Sequence, residues 1–120
     1  MKARWQILLV AFLLAVGCEA GNPVAPGRLP DWLTSLVAQL GVQPVANPPA
    51  LVVRYDYRSE TVYYVPPRCC DVWSTLYNAQ GTILCHPDGG VGGMGDGRCP
   101  AFMAERTNEL IVWRDPRGSA

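Results

Sequence analysis

Three kinds of apolar spacing divide the chain. Ile7 to Val16 (ILLVAFLLAV) is an unbroken apolar run of ten, too short to cross a bilayer, since a helix rising about 1.5 Å per residue needs roughly 20 residues to do so. Leu33, Leu36, Val37 and Leu40 recur at i, i+3, i+4 and i+7, which predicts an amphipathic helix. Pro30 and Asp31 open that helix and Gly41 closes it. Pro44, Pro48 and Pro49 prevent its continuing. Val53, Tyr55 and Tyr57 then alternate with Val52, Arg54 and Asp56, a period of two that predicts a strand with one buried and one wetter face.

The pattern repeats in shorter pieces. Beyond the polar break Arg58-Ser59-Glu60, the run Thr61 to Val65 (TVYYV) predicts the second strand of a hairpin, and Pro66-Pro67 ends it. Trp73 to Tyr77 and Thr82 to Cys85 flank Asn78-Ala79-Gln80-Gly81, a further hairpin whose glycine suits a left-handed turn position. Pro100 to Arg106 predicts a short helical turn, and Glu109 to Arg114 (ELIVWR) a closing strand. The expected class is therefore α+β: one N-terminal amphipathic helix on a small antiparallel sheet of about four strands, stapled by two disulfides.

Composition changes the picture mainly at the N-terminus. Lys2 and Arg4, the apolar run and the small residues after it have the layout of a secretory signal. Leu14-Ala15-Val16-Gly17-Cys18 resembles the lipobox of bacterial lipoproteins, in which the cysteine is acylated and becomes the new N-terminus. The expected organisation is a signal at 1–17, a tether at 18–28 rich in proline and small residues, one domain at 29–117 and a tail at 118–120. Acyl chains such as palmitate on Cys18 would hold the protein to a membrane, each buried methylene contributing about 0.8 kcal/mol. Glu19 rather than aspartate follows that cysteine, which favours the outer membrane or cell surface. From Cys18 onward, eight arginines against ten carboxylates leave a formal charge of −2. This balance has neither the basic footprint of a nucleic-acid binder nor that of a polybasic membrane patch.

With Cys18 assigned to lipid, Cys69, Cys70, Cys85 and Cys99 remain, an even number in an oxidising compartment. Neighbours on an extended chain point apart. Cys69 with Cys85 and Cys70 with Cys99, or the reverse, are therefore the preferred pairings, and a vicinal bond with Cys85–Cys99 comes third. Zinc ligands usually come in closely spaced pairs, and the spacing here is different.

Between His86 and Arg98 the chain has six glycines in thirteen residues, with Asp88 and Asp96 among them. Gly90-Val91-Gly92-Gly93-Met94-Gly95 satisfies the letters of a dinucleotide fingerprint without the strand and helix the fingerprint requires, and no lysine follows to make a P-loop. Asp71, His86, Asp88 and Asp96 are the candidate loop site. Asp88 and Asp96 offer hard oxygens to calcium, but outside any EF-hand spacing, and a paired Cys85 could not serve as a nucleophile beside His86.

Tyr55-x-Tyr57, Val62-Tyr63-Tyr64-x-Pro66, Cys69-Cys70-Asp71, Leu76-Tyr77-x-x-x-Gly81, Cys85-x-Pro87-x-Gly89-Gly90, Gly95-Asp96-Gly97-x-Cys99-Pro100-x-Phe102 and Val112-Trp113 together resemble a family of small, uncharacterised bacterial lipoprotein domains. The resemblance covers about residues 30 to 117 and implies export and a compact domain with paired cysteines, but no activity. The expected role is a non-enzymatic binding or structural module of the cell envelope, without cofactor, acting on an envelope protein or glycan. A protease-inhibitor-like protein presenting Pro87 to Arg98 and a calcium-dependent enzyme or calcium-binding domain are the alternatives.

Overall fold

The computed structural model describes residues 28–69 and 71–118. The elements run α1 (Asp31–Val42), β1 (Leu51–Tyr57), β2 (Glu60–Val65), β3 (Thr75–Asn78), β4 (Ile83–Cys85), α2 (Phe102–Glu105) and β5 (Thr107–Arg114). The strands form one antiparallel sheet in the order β4-β3-β2-β1-β5. The last strand thus returns to pair with the first, and β4 and β5 form the two edges.

The period of two in β1 and β2 builds the centre of this sheet. Val53 pairs with Tyr64 and Tyr55 with Val62, so Val53, Tyr55, Tyr57, Val62 and Tyr64 share a face with Leu76 and Cys85. Phe102 of α2, fully buried, packs against them. Its ring meets Tyr55 and Tyr57 edge-on, with centroids 5.7 and 5.3 Å apart, an arrangement favoured by the aromatic quadrupoles. On the opposite face Val52 and Tyr63 pack under Leu33 and Leu40 of α1. Arg54 and Asp56 on that face remain half-exposed, so the helix covers only part of it.

Polar contacts fix both ends of α1. The Trp32 indole donates to the Ala79 carbonyl at 2.9 Å, and a Cβ on Gly81 would lie 2.6 Å from the Trp32 ring, so glycine lets the β3–β4 turn close on the helix. At the other end the Arg117 guanidinium donates to the Gln43 carbonyl at 2.8 Å while paired with buried Asp115 at 2.8 Å. Arg68 donates to the Gln43 side-chain oxygen and the Pro44 carbonyl. Cations at a helix C-terminus complement its exposed carbonyls.

The expected fold class is overturned. Among the described residues the domain is mostly sheet, with five strands and two short helices, because every one of the five apolar runs pairs into the same sheet, the last extended back to Thr107 beside β1. The first helix among the described residues begins at Asp31, well inside the chain. Among the described residues there is one disulfide, Cys85–Cys99, with Cα atoms 6.1 Å apart. Both preferred pairings therefore fail, since each needs Cys85 or Cys99 for another partner. The alternation argument assumed an extended chain at Cys69, whereas Arg68 and Cys69 lie in a bend. Cys70, Cys18, the signal and the tether as far as Gly27 lie outside the described residues.

Candidate functional site

The glycine-rich loop is built around Asp96. One carboxylate oxygen accepts from the His86 amide at 3.1 Å and the other from the Arg98 amide at 3.0 Å, while the Asp96 amide donates to the His86 carbonyl at 2.9 Å. Partial burial acts to raise its pKa, but the amides of Arg98 and His86 prevail and hold the carboxyl below its ordinary range. The backbones cross closely here. A Cβ on Gly95 (φ 64°) would run into the His86 carbonyl oxygen, so the crossing requires glycine twice over, for conformation and for space.

The other loop candidates are engaged locally too. His86 Nδ1 lies 2.7 Å from the Ser74 carbonyl; a carbonyl only accepts, so this nitrogen carries the proton. The ring tilts over Trp73 with centroids 5.1 Å apart. Asp88 accepts from the Tyr64 hydroxyl at 2.8 Å, and its backbone exchanges bonds with Ser74 at 3.0 to 3.1 Å. Burial, then this bond to Asp88, pushes the Tyr64 hydroxyl well above its usual pKa. Asp71 stands exposed before β3 and takes no part in these bonds. The structure thus brings His86 and Asp96 together, places Asp88 under Tyr64 and leaves Asp71 apart. Among the described residues no group of three His, Cys, Asp or Glu side chains could hold a metal ion. With Cys85 in a disulfide, the Cys85–His86 neighbours have no thiol to offer. Apolar side chains are among those the loop turns outward: Val91 is 94% exposed and Met94 82%.

A second region was not singled out by the sequence. Tyr55, Met103, Arg106, Thr107, Asn108 and Glu109 line an open cleft of about 230 Å³ where α2 passes into β5. The Arg106 guanidinium lies 4.8 Å over the Tyr55 ring and 5.7 Å from that of Phe102. The Tyr55 hydroxyl donates to Glu109 Oε1 at 2.6 Å. Burial, followed by this bond, pushes its pKa up to about 12 against the opposing pull of Arg106. Asn108, at φ 55°, donates to the Asp56 carboxylate at 2.6 Å. Among the described residues the ion pairs are Arg58 with Glu105 and Arg117 with Asp115; Arg106 forms none. No local signal marks this cleft, because Tyr55 and Glu109 meet across 54 residues of chain.

Residues 38–115 match the family described as a domain of unknown function, DUF6970. The chain belongs to the DUF6970 family. The match runs from within α1 through all five strands to Asp115. It therefore takes in both the glycine loop and the cleft at β5. None of the curated proteins and none of the solved structures matches the chain.

Proposed function

We propose that this DUF6970 protein is an exported lipoprotein of the small bacterial type, anchored through acylated Cys18 to the outer membrane or cell surface, and that its domain binds a partner rather than catalysing a reaction. The observation that carries the binding role is the commitment of the loop's chemical groups to the domain's own fold. Asp96 holds two amides, His86 Nδ1 holds a carbonyl, Asp88 holds Tyr64, and Cys85 is bonded to Cys99. These groups shape a surface and leave little for turnover. The partner is an envelope protein or glycan, not nucleic acid.

Two measurements test the reading. Cells producing the full chain and fed an alkynyl fatty acid should label the wild type but not Cys18→Ser; label on both, or on neither, overturns the anchor. A photo-crosslinking residue at Val91, or separately at Leu110, should give discrete adducts in the envelope. Uncrosslinked monomer alone at both positions overturns binding.

A second reading is favoured by the outward Val91 and Met94 on a loop that is tied at both ends by Cys85–Cys99. A rigid exposed loop suits a protease-inhibitor-like role for Pro87 to Arg98. Failure of a broad panel of secreted proteases to be inhibited by the full chain removes it.

A further inference from the structure

The two edges of the sheet are unlike. β4 has three residues and β5 has eight. No described strand pairs with the outer side of β5, so about half of its backbone N–H and C=O groups face away from β1. Proteins usually protect such an edge with charge, proline, bulges or a cover. Here Leu110, Ile111, Val112 and Trp113 follow one another without a charge or proline, and Leu110 is 54% and Ile111 46% exposed. Pairing with β1 is regular at Arg54–Leu110 and Val53–Ile111 and irregular on either side. The edge therefore suits a short added segment centred on Leu110 and Ile111.

That stretch of edge lies beside the cleft. Arg106 rests its flat guanidinium on Tyr55 and Phe102, and stacking of this kind leaves the in-plane N–H donors available for a carboxylate. Glu109, on the same wall, takes the Tyr55 hydroxyl and makes no ion pair with Arg106. The site thus combines a row of unpaired main-chain groups, which only another extended chain can match, with a guanidinium beside it that forms no ion pair.

We infer that the margin formed by β5 and the end of α2 receives a short, extended acidic segment of another protein, which adds to the sheet beside β5 and sets a carboxylate against Arg106. This rests on the binding role proposed above and names its site and partner class. The chain's own residues 19–27 are a poor occupant, because Pro23, Pro26, Gly21 and Gly27 interrupt any strand pattern. Main-chain pairing supplies affinity in such additions and the side chains supply selectivity.

The test is selection of a random nonapeptide phage library on the detergent-solubilised full chain. Enriched peptides should be β-branched and carry Asp or Glu. Binding of a labelled enriched peptide, measured by fluorescence polarisation, should weaken about tenfold or more in Arg106→Gln, as loss of a charge-assisted bond requires. It should weaken comparably in Leu110→Lys, with circular dichroism melts confirming that both variants fold. Amides of β5 should gain protection from hydrogen exchange when the peptide binds, which a contact through side chains alone would not produce.

Absence of enrichment, or peptides indifferent to both substitutions, overturns the inference. Sensitivity to Leu110→Lys without sensitivity to Arg106→Gln overturns the carboxylate assignment. Dimerisation of the chain that Leu110→Lys abolishes gives the edge to a second copy instead. Crosslinks at Val91 together with a silent library would leave the binding role standing and remove only this site.

Discussion

The glycine loop and the β5 margin hold similar chemistry and use it in opposite ways. In the loop, Asp96, His86 and Asp88 direct their polar atoms at amides, a carbonyl and a tyrosine hydroxyl of the same domain, and apolar Val91 and Met94 face solvent. At the margin, Arg106 stacks on aromatic rings without an ion pair, and β5 leaves one side of its backbone unmatched by any described strand. The loop is rich in the residue types that make sites, yet these groups serve to hold its path. The margin has such residues too, Tyr55, Arg106, Asn108 and Glu109 among them, but keeps part of its bonding capacity for something else. Bonding capacity left over after folding is thus a better guide to a binding surface than residue type.

The largest expected effect falls on the floor of the margin. Phe102→Ala removes a fully buried ring that packs on Tyr55, Tyr57 and Tyr64 and should cost about 3–5 kcal/mol in urea unfolding. A loss below about 1 kcal/mol would mean that α2 is not anchored there. Replacing both Cys85 and Cys99 by serine opens a closure of sequence separation 14 and should cost about 3 kcal/mol. If the two regions are independent, peptide binding at β5 survives that change; loss of binding in a folded variant would break the comparison.

The pH limits test both regions further. The Asp96 carboxyl titrates below its ordinary range in the folded state, so its contribution is present above the unfolded value of about 4 and is lost as pH falls below it. Asp96→Asn should flatten this acid limb of the stability curve. Asp115, held down by its bonds to Arg117, shares the limb and supplies what remains. Tyrosines of both regions respond at the other extreme, Tyr64 being pushed up by burial and its bond to the loop's Asp88. Tyr55 keeps its proton up to about 12 against an ordinary 10.0, so its contribution is present below pH 10 and lost as pH rises toward 12. Glu109→Gln should lower its midpoint, followed by tyrosinate absorbance.

The smallest effects are expected on the outward side chains. Val91→Ser, Met94→Ser and Leu110→Lys replace exposed groups and should each shift stability by no more than about 0.5 kcal/mol. Their influence should appear in binding alone, with Leu110→Lys acting at the margin and the other two at the loop.

Sequence by itself determined the local elements. Leu33, Leu36, Val37 and Leu40 specify α1, and the alternation about Val53, Tyr55 and Tyr57 specifies β1, because periodicity is a property of neighbouring residues. The polar Arg58-Ser59 break between β1 and β2 was legible for the same reason, although the turn there takes positive φ at both residues without glycine. Tertiary structure alone decided the disulfide. The path of the loop brings Cys99 back to Cys85, while a bend removes Cys69 from the extended geometry on which the other pairings depended. It also decided what each polar group is for: His86 reaches Ser74, Tyr64 reaches Asp88 and Tyr55 reaches Glu109 across 12, 24 and 54 residues. A side chain's chemistry is written in its residue type, but whether that chemistry is already satisfied depends on neighbours that only the folded chain supplies.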